Sequence, residues 1–236
     1  MKNWLTFGAT EIGSAHIEAT KSNEDSWKTI KNPRGTGIVI ADGLGSKQHS
    51  KIGSASACNA VKINLTSLFL TKQDALSLPI HIHKTWLDLI SPLNPDECAS
   101  TCLFAFHHHS LRLIQIAALG DGLAASINQD GSITNINRSD SKGFVNETSA
   151  LKENTELGDW QQDFLKPEEV QSVILLSDGL SEDLQNEKEF LNDLTTGFGN
   201  LSTVSAHRRA SWMLREWPKK LYSDDKTIAA MLARTE

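Results

Sequence analysis

Gly37-Ile38-Val39-Ile40-Ala41-Asp42-Gly43 is a nearly continuous apolar run that stops on an aspartate and a glycine. Two more runs stop in the same way. Ile116-Ala117-Ala118-Leu119-Gly120 leads into Asp121-Gly122, and Val173-Ile174-Leu175-Leu176-Ser177 leads into Asp178-Gly179. Farther along, Asp224-Asp225-Lys226-Thr227 leads into Ile228-Ala229-Ala230-Met231-Leu232. Short apolar runs without polar alternation read as strands buried on both faces. A carboxylate at the rim of such a strand is held rigidly yet reaches solvent. The glycine after it lets the chain turn sharply and brings its own carbonyl close to whatever the carboxylate binds. Several converging rims make an oxygen-only nest for hard divalent cations such as Mg²⁺ or Mn²⁺. Asp-Gly is also a tight-turn signal that needs no metal. Asp130-Gly131, which follows polar Asn128-Gln129, reads as a hairpin turn alone.

Outward from these runs, strands are expected at about 4–10, 15–19, 37–41, 101–107, 111–119, 123–128 and 173–177, with a last one near 227–232. Two long helices, about 51–70 and 78–90, fall between the third and fourth strands, the second with Pro79 near its first turn. A third, about 204–217, stops at Pro218. Segregated runs of strands and helices imply α+β, where strict alternation would imply a parallel sheet. The polar segment 139–166 has no clear period and reads as a surface excursion beside a functional site.

With 236 residues the chain is most simply one domain, 1–236. Its 39% hydrophobic and 22% charged residues are an ordinary globular balance. A net charge of -6 lacks the basic surplus that phosphate-backbone binding demands, so nucleic acid is not an expected partner. No apolar stretch is long enough for a membrane span, and the start lacks a secretory h-region. Three cysteines, Cys58, Cys98 and Cys102, form neither metal spacing nor a disulfide framework. A cytoplasmic protein is expected.

The order of the motifs resembles the metal-dependent protein phosphatase family, the protein phosphatase 2C type, in a divergent bacterial branch. The matching pieces are Asn23-Glu24-Asp25, Ala41-Asp42-Gly43-Leu44-Gly45, Ser100-Thr101-Cys102-Leu103, Gly120-Asp121-Gly122, Leu176-Ser177-Asp178-Gly179-Leu180 and Asp224-Asp225-Lys226-Thr227, with Asn146-Glu147-Thr148 between. The resemblance implies a four-layer α/β/β/α sandwich with two central antiparallel sheets. It implies two Mn²⁺ or Mg²⁺ ions, with a place for a third. Asp42 would bridge the two ions and the Gly43 carbonyl would complete one shell. Asp178 and Asp225 would hold one ion, Asp25 would contribute directly or through water, and Asp121 with Asp178 matches the place of the third. The implied activity is hydrolysis of phosphoserine or phosphothreonine on proteins through a metal-bridging water, with Asp42 and Asp178 as the catalytic pair. The implied partners are a phosphorylated protein and a serine/threonine kinase.

Three positions depart from the family pattern. Where many members place a phosphate-binding arginine, this chain has Thr20 with Lys21 beside it, so these two become the candidate substrate-binding residues. A lysine is a point charge without arginine's bidentate grip. Leu44 stands where several eukaryotic members carry a histidine, and Lys226 follows the last aspartate where Asn is common. These departures motivate an alternative: a catalytically weak or inactive relative that binds a phosphoprotein or a kinase. Outside the motifs, His107 and His109 are two apart in a strand and could share a metal, although the run lacks a third ligand and reads as an exposed strand end. Trp86, Trp212 and Trp217 read as helix packing residues, and Glu182-Asp183 as the cap of a helix start.

Overall fold

The structure is a computed structural model and describes residues 2–67, 71–136, 149–218 and 224–234. Its elements in chain order are β1 (Trp4–Glu11), α1 (Ser14–Glu18), β2 (Ser26–Asn32), β3 (Gly35–Ala41), α2 (Ser50–Ser67), α3 (Lys72–Ile90), β4 (Cys102–His108), β5 (Leu113–Leu119), β6 (Leu123–Asn128), β7 (Ile133–Asn135), β8 (Gln161–Leu165), β9 (Val170–Leu176), α4 (Asp178–Ser181), α5 (Glu187–Phe198), α6 (Thr203–Arg215) and β10 (Lys226–Ala233). Two five-stranded sheets form, one in the order β1-β10-β9-β6-β7 and the other β2-β3-β4-β5-β8. Every neighbouring pair in both is antiparallel.

The apolar runs explain the layering. Side chains of a strand alternate between faces, and here both faces are covered. Ile38 and Ile40 of β3, Leu103 and Ala105 of β4, Val173 and Leu175 of β9, and Ala229 and Met231 of β10 meet between the sheets. Val39 of β3 with Phe104 and Phe106 of β4 point outward onto Ala57, Val61, Ile82 and Trp86 of α2 and α3. Ile174 of β9 with Ile228 and Leu232 of β10 point outward onto Leu191 and Leu194 of α5 and Ala206, Ala210 and Leu214 of α6. Three apolar layers thus separate four structural layers, the α/β/β/α sandwich.

Several elements differ from the expectation. The segment expected as a strand at 15–19 is α1, a one-turn helix whose Ile17 is 56% exposed. Ala15-His16-Ile17-Glu18 lacks period-2 patterning, and no neighbouring strand pairs with it. The edge strands β2 and β8 and the short β7 carry too many polar residues to announce themselves. Helix α3 begins at Lys72, because Thr71 and Asp74 form a capping box, so Pro79 lies in its interior. Helix α5 buries Leu191, Leu194 and Phe198 at helical spacing behind an Asn186 cap. Trp86 packs as expected, with Nε1 donating to Gly53 O at 3.0 Å. Trp212 does not. Helix α6 buries the Ala206, Ala210 and Leu214 stripe, which leaves Trp212 on the far side, 63% exposed. Asp183 caps no helix: it accepts from Trp217 Nε1 at 3.0 Å and pairs with Lys226 at 3.5 Å. The stretch 137–148, with Asn146-Glu147-Thr148, lies outside the described residues, whereas 161–165 within the unassigned segment is β8. Among the described residues no helix is long and apolar enough to cross a membrane. The three cysteines are buried and free.

Candidate metal centre

The strand register brings the aspartates to one end of the sandwich. Ser26 pairs with Ala41, so Asp25 and Asp42, the next residues outward on β2 and β3, emerge side by side. Ile228 pairs with Leu176, so Asp178 and the Asp224-Asp225 pair emerge together from β9 and β10. The rims are pinned through the main chain. Thr101 Oγ1 accepts from Asp42 N at 2.9 Å, and Thr101 N donates to Asp42 O at 2.8 Å, which gives the Ser100-Thr101 motif its part. Gly43 lies so close to the first turn of α2 that a Cβ would stand 2.6 Å from Ser50 C and O. At Gly179 a Cβ would meet Asp225 O at 2.3 Å. The glycines after the aspartates are therefore required by close approach, not only by turning.

Electrostatics show which carboxyls share the space. Burial first, then the charges of Asp25 and Asp178, hold the Asp42 carboxyl well above the usual carboxylate range, and Asp224 adds to it. Asp178 is raised as well, by burial first, with the charges of Asp121 and Asp224 contributing. Asp25 is buried and pushed up to about 7, chiefly by burial. The Thr227 and Ser177 hydroxyls lie near it, but Thr227 Oγ1 donates to Thr10 Oγ1 at 2.7 Å, and Ser177 Oγ donates to Asp225 O at 3.5 Å. Neither Asp25 oxygen has a hydrogen-bond partner. A buried carboxylate with both oxygens unsatisfied, beside others of like charge, is costly as protein alone and suits a divalent cation.

Each candidate metal and substrate residue lies among the described residues. Asp25, Asp42 and Asp178 come together, and exposed Asp121 lies near Asp178. Asp225 sits behind Asp25 with its carboxylate already engaged. Oδ1 accepts from Gly13 N at 2.7 Å, while Oδ2 accepts from Glu24 N at 2.6 Å and lies 2.9 Å from His16 Nδ1. It thereby clamps the Asn23–Asp25 segment, which Asn23 secures further by donating to Thr10 Oγ1 at 2.9 Å. Asp224, to which the sequence reading gave no role, is the exposed member of the pair whose charge reaches both Asp42 and Asp178. Strand parity carried the signal: Asp225 shares a face with Thr227, Ala229 and Met231, which point between the sheets. One oxygen each of Asp224 and Asp225 and a nitrogen of His16 also lie within 4.8 Å of one another. Lys226 takes the opposite parity: its Nζ lies 3.5 Å from Asp183 Oδ2 and donates to the Asp224 main-chain O at 3.3 Å. Lys21 Nζ donates to Gly45 O at 2.9 Å and lies 3.7 Å from Glu24, in a shallow groove beside the loop after Gly43. Thr20 is exposed, with its backbone left-handed at φ 56°.

A pH dependence follows. The unfolded chain's carboxyls titrate near about 4, whereas Asp25 and Asp42 titrate higher in the folded chain. Between those values the folded state without metal binds more protons than the unfolded one, so its stability falls as pH rises through about 4 to 7. In EDTA the Tm should be roughly 5 °C or more higher at pH 5.5 than at pH 8, and Mn²⁺ should recover the loss at pH 8. Calorimetric scans showing a flat or rising profile in EDTA would contradict the shared-carboxyl arrangement.

Comparison with known proteins follows the same outline. A family model described as protein phosphatase 2C matches residues 12–217. A search of curated protein sequences finds no significant match. The serine/threonine phosphatase Stp1 from Staphylococcus aureus superposes with a TM-score of 0.69 at 16% identity, over 100% of this chain and 96% of that one. A bacterial serine phosphatase gives 0.68 at 17% identity, over 100% and 99% of the two chains. RsbX in complex with magnesium gives 0.64 at 14% identity, over 99% and 98%. At such identities the superpositions establish the fold alone.

Proposed function

Because this chain belongs to the protein phosphatase 2C family, we propose that it is a metal-dependent phosphoserine/phosphothreonine protein phosphatase, working as one domain over 1–236. The observation that carries the reading is the end-of-sheet cluster in which Asp25 lies buried with both oxygens unpartnered, against Asp42 and Asp178. Asp42 and the Gly43 carbonyl, with Asp178, Asp224 and Asp25, would hold two Mn²⁺ or Mg²⁺ ions. Asp121, exposed beside Asp178, would serve a third. Such ions would supply Lewis acidity toward a water molecule and the phosphoryl oxygens.

The rest falls to the chain itself. Thr101 fixes the Asp42 main chain from both sides, so the carboxylate is presented in one orientation. Asp225 holds the Asn23–Asp25 segment in place and would act on the site through position, not as an ion's ligand. Lys21, at the mouth of the groove, would draw the phosphate dianion toward the cluster without fixing its orientation. Leu44 offers no proton, so the leaving alkoxide would take its proton from water. The fitting partners are a phosphorylated protein and the serine/threonine kinase that opposes the reaction, in the cytoplasm.

The test is hydrolysis of a phosphothreonine peptide across a Mn²⁺ titration. Oxygen-only shells exchange ions readily, so turnover should vanish in EDTA and return with Mn²⁺. Full turnover in excess EDTA would overturn the metal-dependent reading. A second reading, a weak or inactive relative that binds a phosphoprotein or kinase, draws on one observation. Thr20 is exposed where an arginine would serve, and Lys21 is already engaged by Gly45 O and Glu24. Calorimetric Mn²⁺ binding without hydrolysis would select it.

A further inference from the structure

The layer between the sheets has a second end. Along β4, from Cys102 near the aspartates to His108, the distance is roughly 20 Å at about 3.3 Å per residue. His107 has the parity of Leu103 and Ala105 and so faces the layer between the sheets, against Trp4. Contrary to the reading of this run as an exposed strand end, His107 and His108 are buried.

Trp4 Nε1 lies 2.9 Å from His107 Nδ1. An indole N–H only donates, so Nδ1 must be the bare nitrogen and the ring proton sits on Nε2. Burial first, then the neighbouring histidines and Lys2, push the His107 pKa down to about 4, so the ring is neutral near pH 7. A neutral ring with its Nδ1 lone pair taken and its proton on Nε2 has no nitrogen left for a metal. The expectation that His107 and His109 could share an ion is thereby removed, and His107 becomes a fixed hydrogen-bond donor.

A cleft of about 400 Å³ opens at this end, lined by Lys2, His107, His109, Arg112, Pro167 and Glu168. That volume falls within the usual range for small-ligand sites. Donors dominate its lining. Lys2 Nζ donates to Pro167 O at 2.9 Å and Val170 O at 2.5 Å, which fixes the ammonium and leaves its third N–H. Arg112 stands at the β4–β5 turn with a left-handed backbone, φ 51°, a conformation that Gly or Asn adopts with less strain. What the position gains from arginine is the guanidinium at the cleft. Glu168 is the one carboxylate of the lining.

We propose that this cleft binds a small anion, a phosphate or a carboxylate group, through the Arg112 guanidinium, the His107 Nε2–H, His109 and the Lys2 ammonium. The site is separate from the aspartate end and independent of any activity there. Lys21 lies in the groove at the aspartate end, so the readout is taken from the rings of His107 and His109, which line this cleft.

The experiment is a titration of metal-free protein in EDTA with inorganic phosphate and, separately, with citrate, followed by histidine ring ¹H–¹⁵N spectra. His107 should show a bare Nδ1 and a protonated Nε2 before any addition. At least one anion should shift His107 and His109 saturably, with a Kd of about 1 mM or tighter. The two arms then tell phosphate from carboxylate. Arg112→Ala should weaken binding about tenfold or more, and Arg112→Lys should recover part of it. Sodium chloride at matched ionic strength should give no saturable shift. The opposite His107 tautomer, equal linear shifts with all three salts, or saturation unchanged in Arg112→Ala would each overturn the proposal.

Discussion

Asp42→Asn is expected to lower kcat on a phosphothreonine peptide by about a thousandfold, roughly 4 kcal/mol of transition-state stabilisation, while raising the Tm of the metal-free protein. Both effects have one cause. Asp42 stands between Asp25 and Asp178, held well above the ordinary carboxylate range by burial and by their charges. A neutral amide cannot offset closely spaced cations, yet without metal it relieves the like-charge crowding. A residue important only for folding would lose activity and stability together, so the opposed signs are diagnostic. Asp130→Asn is the control. Asp130 is exposed and accepts from Ser132 N at 2.8 Å and Ser132 Oγ at 2.6 Å, which an amide oxygen does equally well. Unchanged turnover in Asp42→Asn, or a matching loss in Asp130→Asn, would remove the distinction between rim aspartates and turn aspartates.

The second large effect separates two neighbours. Asp225→Ala should destabilise the protein by about 3–5 kcal/mol, because it leaves the Gly13 and Glu24 N–H groups buried without an acceptor. For a chain of this length that is a Tm loss of roughly 10 °C. Asp224→Ala should leave the Tm of the metal-free protein nearly unchanged, since Asp224 is exposed, but weaken Mn²⁺ binding and turnover by about tenfold or more. Thermal scans in EDTA paired with Mn²⁺ calorimetry read both quantities on each variant. If Asp225→Ala kept its Tm and lost metal instead, Asp225 would be the ligand and Asp224 the bystander.

The same pair marks where reading the sequence stopped. Asp224-Asp225 before a strand announces that one carboxylate stands at a rim, but adjacency in the chain cannot say which. The answer depended on Gly13 and Glu24, more than two hundred residues away, which engage Asp225 and leave Asp224 outside. His107 is a parallel case. Its place two residues from His109 suggests a metal pair, and only the approach of Trp4 from β1 sets the tautomer that forbids one. Lys226 looked like an intruder among acids until strand parity turned it toward Asp183.

What the amino-acid order determined by itself was an α+β chain whose central strands are covered on both faces and end on aspartates; the four-layer α/β/β/α order was implied only by the family resemblance. Runs such as Gly37–Ala41 and Val173–Leu176 are apolar at every position or nearly so, and a strand of that kind must be covered on both faces. The Asp-Gly pairs then sit where burial ends. The edge strands β2 and β8 and the one-turn α1 were not legible, because their residues are polar or ambiguous and take their conformation from the neighbours they meet. Tertiary structure alone shows that main-chain N–H groups occupy the Asp225 carboxylate while Asp224 stays exposed, and that Trp4 Nε1 meets Nδ1 of His107. Those depend on hydrogen bonds between segments far apart in sequence, and a partner that arrives from elsewhere in the chain leaves no local trace.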